Sequence, residues 1–368
     1  MFTINESIKA MNLNPSPRAL NWLHRLATPL VPDDYLELVN PLWSTRSLNA
    51  RVVSLEAQPG GATTVTLQPP ARWGGFRAGQ FVNVSLSVNG IRQARCYSIC
   101  SAPDKVNNRF DITVKAIDSG RVSNHVNRQL RVGDVVEISE AQGEFTWGDA
   151  LPPKALFISA GSGITPLMGM ALEAAASGVV PDLVWLHYAP EADQVIFGDT
   201  LAGLQAQHPQ LNLQVIYTRK TGEHFSGAAL MQRCPDWRQR STWACGPGTM
   251  LDAAVALWDK APDAKTLTIE RFQPKIAKLA DLAAGGQLAF ADTGCSVTSD
   301  GSTSILEVAE AAGLSPKYGC RMGICHGCTV ALKAGQVRDL RTGQVFGEED
   351  DLIQICVCAP AGDVAVAL

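Results

Sequence analysis

The 368-residue chain contains no stretch of 18 uncharged apolar residues, which removes a conventional membrane-spanning helix. Its 31 Lys and Arg are outnumbered by 35 Asp and Glu, for a net charge of -4. It therefore lacks the basic footprint of a nucleic-acid binder, and no nucleic acid is expected as a partner. The start, Met1 to Ser7, has neither a basic n-region nor an apolar h-region, so no secretory leader is read there. The expectation is a cytoplasmic protein whose ten cysteines stay reduced. No internal repeat is visible, which sets aside repeat architectures.

What is present divides by texture. Residues 1–47 interleave Ile8, Met11, Leu20, Trp22, Leu23 and Leu26 with Lys9, Arg18, His24 and Arg25, before Pro29 and Pro32 break any helix. This predicts an N-terminal extension with one amphipathic helix. Its apolar side either packs on the body of the protein or rests peripherally on the inner face of a membrane. Residues 48–150 alternate at period two, as at 51–55, 64–67, 81–84 and 111–114, with glycines between the runs. Many short strands of this kind predict an antiparallel β-barrel. From 151 to 272, apolar strands at 155–159 and 183–188 alternate with helical stretches, the pattern of an α/β domain with a parallel sheet. Residues 273–285 read as a linker. Residues 286–368 carry strands, a helix around Ser304 to Glu310, and a cysteine loop.

That loop holds the sharpest signal. Cys320, Cys325 and Cys328 form C-x4-C-x2-C with a further cysteine downstream, Cys356 or Cys358, and this is the spacing that holds a plant-type [2Fe–2S] cluster. Gly319, Gly323 and Gly327 let the backbone wrap closely and aim N–H groups at the sulfurs. The plainer reading, buried small hydrophobes or disulfide partners, leaves the ligand spacing unexplained. His326 lies between two of these cysteines, but a Rieske centre needs a second histidine and none stands near a ligand. The chain is expected to move single electrons.

Other motifs lie upstream. Arg95-Cys-Tyr97-Ser98 offers a cation and a hydroxyl for a phosphate, with an aromatic ring between them for a flat cofactor. Alone, it is equally a strand with a surface Arg and a half-buried Tyr. Gly161-Ser-Gly163-Ile-Thr165-Pro166 places a glycine turn between an apolar strand and a helix start, where backbone N–H groups and the helix dipole receive a pyrophosphate. Pro166 replaces the usual third glycine and is expected at the first helical position. Cys245-Gly246-Pro247-Gly248-Thr-Met250 ends another apolar run in a small-residue turn that admits a ring to the backbone. Taken singly it is an ordinary strand-to-helix turn.

In this order, over 48–368, the motifs resemble the ferredoxin–NADP reductase superfamily with a C-terminal plant-type ferredoxin domain. The resemblance implies a multidomain fold: an antiparallel β-barrel flavin domain, an α/β parallel-sheet nucleotide domain and an α+β β-grasp ferredoxin domain. It implies FAD, a [2Fe–2S] cluster and NADPH or NADH as cofactors. Arg95 and Ser98 would bind flavin phosphate, Tyr97 would pack on the flavin ring, and Gly120, Val122 and Ser123 would contact the second phosphate region. Gly161, Gly163, Thr165 and Pro166 would cradle the dinucleotide, with Cys245, Gly246 and Pro247 beside the nicotinamide. Tyr97, Cys245 and Phe272 are the implied catalytic positions. Glu270 and Phe272 match the end of the nucleotide domain in relatives with a ferredoxin tail, their role being left open. Thr218 and Arg219 resemble the Ser-Arg pair of NADP-dependent members, without the tyrosine that usually completes that site. The expectation leans to NADPH, since an arginine is the usual partner of the 2′-phosphate. The run from Cys356 to Asp363 resembles the end of the cluster region in plant-type ferredoxins, which favours Cys356 over Cys358 as fourth ligand.

The implied activity is a reductase passing electrons from NAD(P)H through FAD and [2Fe–2S] to a separate oxygenase. A nicotinamide gives up a hydride, a cluster accepts one electron, and a flavin can do both. The segment 32–44 and the cysteine loop resemble those of bacterial reductases serving membrane-bound di-iron fatty acyl desaturases. The alternatives are the reductase component of a ring-hydroxylating or alkane-hydroxylating oxygenase, and a redox-sensing electron-transfer protein.

Overall fold

The computed structural model describes residues 39–88, 91–104, 106–118, 120–272, 285–323 and 326–368. The expected N-terminal helix, residues 273–284 of the expected linker and Cys325 lie outside the described residues.

Six strands form the first unit: β1 (Leu48–Gln58), β2 (Ala62–Gln68), β3 (Phe81–Val88), β4 (Ile91–Ser98), β5 (Phe110–Lys115) and β6 (Val135–Ile138). They pair antiparallel in the order β4-β3-β6-β1-β2-β5. The chain just past β4 then meets β5 through an Ile99–Ile112 bridge and a Cys100 N–H to Asp111 carbonyl bond of 2.8 Å. The two edges meet and the sheet closes, which removes exposed strand edges. Alternation explains the interior: Val82, Val84, Leu86 and Val88 of β3 point inward and are buried. Trp73 stacks on Phe110 at 4.8 Å within this core. One helix, α1 (Arg121–Arg128), follows β5 and buries Val122 and Val126 against it.

The second unit has five strands, β7 (Lys154–Ala160), β8 (Asp182–Ala189), β9 (Leu211–Tyr217), β10 (Ser241–Cys245) and β11 (Leu267–Glu270). Its helices are α2 (Ile164–Ala176), α3 (Gly198–Gln207), α4 (Thr218–Thr221), α5 (Gly227–Arg233) and α6 (Gly248–Trp258). All strands run parallel in the order β11-β10-β7-β8-β9. Buried cores line both sides of the sheet, which is why β7 and β8 read as continuous apolar runs. The order reverses between β7 and β10, and such a switch point opens a crevice at the carboxyl ends of the strands. The barrel docks on α2. A side chain at Gly169 would place its Cβ 2.7 Å from the Ile99 carbonyl oxygen, while Trp147 and Trp243 donate indole N–H bonds of 3.0 Å to Met170 and Thr146 carbonyls.

The third unit comprises β12 (Gly286–Phe290), β13 (Cys295–Ser299), α7 (Ile305–Ala311), β14 (Thr329–Ala334), β15 (Val337–Asp339), β16 (Val345–Phe346), β17 (Leu352–Gln354), β18 (Cys358–Pro360) and β19 (Val364–Val366). A mixed sheet in the order β13-β12-β19-β14-β17 carries one parallel pair, β12 with β19. Ser304 caps α7 by accepting from the Glu307 N–H, and α7 buries Ile305, Leu306 and Ala309 in the domain core. The multidomain architecture expected from the sequence is the one observed.

Candidate active site

The three units enclose one cavity of about 1410 Å³. Its walls carry Arg95, Tyr97 and Ser98 from the barrel, Ser162, Thr165 and Glu270 from the parallel sheet, and Tyr318, Cys320 and Cys356 from the third unit.

On the barrel side, the β3–β4 register pairs Val82 with Tyr97 and Phe81 with Ser98. Tyr97 touches the barrel core as well as the cavity, and burial raises its hydroxyl pKa, against a lowering by Arg95. Gly120 has no room for a side chain: a Cβ there would lie 2.3 Å from Ser123 Oγ and 2.4 Å from Ile117 Cγ1. It opens α1, whose first amides have no partner within the helix. Gly120, Val122 and Ser123 therefore stand at a helix start on the cavity wall. Arg95 donates to the Ala94 carbonyl at 2.8 Å. A cation, a ring and a bare helix start on one wall fit a flat cofactor bearing phosphate.

On the nucleotide side, Gly161 adopts φ +54, and a 3-10 turn over Gly161–Gly163 precedes α2. Helix α2 thus begins at Ile164, and Pro166 is its third residue rather than its first. The proline remains harmless, because first-turn N–H groups lack helical partners in any case. A Cβ at Gly163 would sit 2.2 Å from the Cys245 carbonyl oxygen, and one at Gly246 would sit 2.6 Å from Met250 Cε. The turns after β7 and β10 are pressed together, and Pro247 caps α6 beside them. Cys245 is fully buried, and burial with the nearby Glu270 raises its thiol pKa well above the ordinary value.

Glu270 is the residue whose role the sequence left open. The parallel register places it opposite Cys245, and the Ser98 hydroxyl donates to its Oε2 at 3.3 Å. Burial pushes its carboxyl up to about 8, against the lowering effect of the Ser98 bond. The available signal was an acid at the end of the strand following the Cys245 turn. Phe272, two residues on, lines the cavity with 41% of its surface exposed. Thr218 and Arg219 do not line the cavity. They open α4 at the carboxyl end of β9, where Arg219 Nη1 meets Glu191 Oε1 at 3.1 Å.

On the third side, Cys320, Cys328 and Cys356 are buried. The Cys356 thiol beside Cys328 lowers the Cys328 pKa and is itself raised in turn, and Cys320 is close enough to act on both. The Met322 N–H lies 3.3 Å from Cys320 Sγ. Gly323 has φ +71, and a Cβ there would fall 2.4 Å from Arg341 Nη1. Cys358 lies on β18, its thiol pushed up to about 12 chiefly by burial. Among the described residues no group of three or more His, Cys, Asp or Glu is gathered closely enough to hold a metal ion. Buried thiols near one another, with a backbone N–H directed at Cys320, are of the chemical type that binds iron–sulfur clusters.

Family models match in the same order: an oxidoreductase FAD-binding domain over residues 62–147, an oxidoreductase NAD-binding domain over 157–256, and a 2Fe-2S iron-sulfur cluster binding domain over 290–361. An NADPH oxidoreductase of Mycobacterium tuberculosis is 41% identical over 344 residues, covering 92% of this chain and 89% of that one. The chain belongs to the ferredoxin–NADP reductase superfamily. It is an NAD(P)H oxidoreductase of the ferredoxin reductase type with a C-terminal plant-type ferredoxin domain, and its cofactors are FAD, a [2Fe–2S] cluster and NAD(P)H. A glycine betaine monooxygenase reductase subunit of Pseudomonas aeruginosa is 30% identical over 318 residues, covering 79% of this chain and 87% of the relative. Phthalate dioxygenase reductase shares the fold, with a TM-score of 0.63 at 22% identity over 88% of this chain and 98% of that one.

Proposed function

We propose that the protein takes hydride from NADPH and delivers single electrons to a separate oxygenase, with a membrane-bound di-iron fatty acyl desaturase as the acceptor. The observation that carries the electron path is a cavity shared by the three units, with Tyr97, Glu270 and Cys320 on its walls. Bound flavin accepts a hydride and releases electrons one at a time. Arg95, Ser98 and the start of α1 hold its phosphates, and Tyr97 fixes its ring. Gly161, Gly163, Thr165 and Pro166 receive the dinucleotide, while Cys245, Gly246 and Pro247 border the nicotinamide. Cys320, Cys325, Cys328 and Cys356 hold the cluster.

The proposed division is 1–47, 48–150, 151–272 and 286–368, with 273–285 as linker. It is supported by sheets confined to 48–138, 154–270 and 286–366, the last range holding both the mixed five-stranded sheet and a three-stranded sheet of β16, β15 and β18. The desaturase reading rests on the likeness of segment 32–44 and the cysteine loop to reductases of that kind, and gives the N-terminal extension a place at the inner face of a membrane. Among the described residues no helix is long and apolar enough to cross one. Relatives named as reductases of glycine betaine monooxygenase and 3-ketosteroid-9-alpha-monooxygenase support an oxygenase as the acceptor, and the rival within that class is a ring-hydroxylating or alkane-hydroxylating oxygenase.

Reconstitution in vesicles with each type of oxygenase separates these readings. NADPH-dependent desaturation of a fatty acyl substrate supports the proposal, and turnover confined to the other oxygenases overturns its acceptor. A fully loaded protein that cannot sustain NAD(P)H-dependent cytochrome c reduction would instead be a redox sensor.

A further inference from the structure

We propose that Tyr318 is a positioning residue that seats the cluster loop against the flavin wall, so that electron transfer within the chain depends on it. The inference rests on the cofactor assignment above. Tyr318 stands two residues before Cys320, in the segment that leads from α7 into the cluster loop. Its ring lies 4.9 Å from the Arg95 guanidinium carbon on one strand of the barrel and 4.2 Å from that of Arg321. Its hydroxyl donates to Gln93 Oε1 at 3.3 Å. Gln93 is itself buried and precedes Arg95 by two positions on β4. One side chain of the ferredoxin domain is therefore gripped by the strand that presents Arg95, Tyr97 and Ser98 to the cavity.

The grip is fixed from the other side as well. Arg321, adjacent to Cys320, adopts φ +59 and forms an ion pair with Glu310 on α7. A left-handed conformation at a non-glycine residue persists only where the surroundings over-determine it. Here the surroundings are the Tyr318 ring on one face of the guanidinium and the Glu310 carboxylate at its end. A ring in contact with two guanidiniums, with a directional hydroxyl bond added, restrains both separation and angle. Small misplacements of reacting centres cost large factors in rate. Tyr318 thereby sets how close Cys320 and Cys356 come to the flavin wall.

The test uses the full-length, cofactor-loaded protein with Tyr318→Leu, Tyr318→Phe and Gln93→Leu, mixed anaerobically with NADPH in a stopped-flow instrument. Relative to flavin bleaching followed in the same traces, cluster reduction should slow about tenfold or more in Tyr318→Leu. Tyr318→Phe should fall between, since it keeps the ring and loses the Gln93 bond. Hydrogen–deuterium exchange should quicken over 91–98 and 314–323 in Tyr318→Leu. Cluster reduction at the parental rate with parental iron content, or unchanged exchange over 91–98, overturns the proposal. Should Tyr318→Leu lose its cluster, Gln93→Leu decides: slowed cluster reduction supports the seating role, and parental behaviour in both readouts removes it. If the parent carried no flavin or iron, the cofactor assignment would be the part that failed, and the exchange comparison would still report on the Tyr318 contact.

Discussion

The Ser98 hydroxyl donates to the Glu270 carboxyl across 3.3 Å, joining the barrel strand β4 to the last strand of the parallel sheet. Burial pushes Glu270 up to about 8, so the group ionises as the pH rises through that value. Ionisation puts negative charge beside Cys245, where the nicotinamide is proposed to lie. The nicotinamide gains positive charge as it gives up hydride, so flavin bleaching by NADPH should quicken as pH rises through about 8, and Glu270→Gln should flatten that limb. An unaltered profile in the variant contradicts the assignment.

The same shift has a stability consequence with a definite sign. The ordinary carboxyl value is about 4.3, so between there and about 8 the folded state holds a proton that the unfolded state has lost. Glu270 therefore makes stability fall with rising pH across that window and adds no further slope above it. Urea unfolding of Glu270→Gln at several pH values should show this slope removed.

Gly163→Ala tests the contact between the two strand-end turns. A methyl 2.2 Å from the Cys245 carbonyl oxygen cannot be accommodated without backbone movement, and overpacking of this kind costs about 1–3 kcal/mol. A lower urea midpoint together with a raised KM for NADPH is expected. Parental values of both would mean that the turns are not held together as described.

The fourth cluster ligand can be read by substitution. Cys356 is buried and shares the cavity wall with Cys320, so Cys356→Ser should abolish the visible absorbance and the paramagnetic signal of the reduced cluster. Cys358→Ser should retain both. The reverse outcome would move the ligand to β18.

Arg219 is 70% exposed and its partner Glu191 50% exposed, so their ion pair adds little stability and leaves the guanidinium available to a 2′-phosphate. Arg219→Ala should raise KM for NADPH about tenfold or more, the effect of losing a hydrogen bond to a charged group, with KM for NADH unchanged. Equal losses with both nucleotides would remove Arg219 from cofactor discrimination.

Features encoded over a few consecutive residues were legible in the sequence. The period-two runs gave the barrel strands, the Gly161-Ser-Gly163 turn gave the strand-to-helix junction, and the cysteine spacing gave the cluster loop. Pro166 lies two positions deeper in α2 than expected, because Gly161–Gly163 forms a 3-10 turn before the helix proper. The role of Glu270 was hidden because it depends on two distant facts, the β10–β11 register and the approach of Ser98. The Tyr318 contact was hidden for the same reason, since Gln93 and Tyr318 are separated by 225 positions.

The central claim, one chain converting hydride into single electrons, is tested most directly by anaerobic titration of the cofactor-loaded protein with NADPH, followed by absorbance and electron paramagnetic resonance. The account predicts flavin bleaching followed by the signal of a reduced [2Fe–2S] cluster within the same chain. Complete flavin bleaching with the cluster remaining oxidised would contradict it.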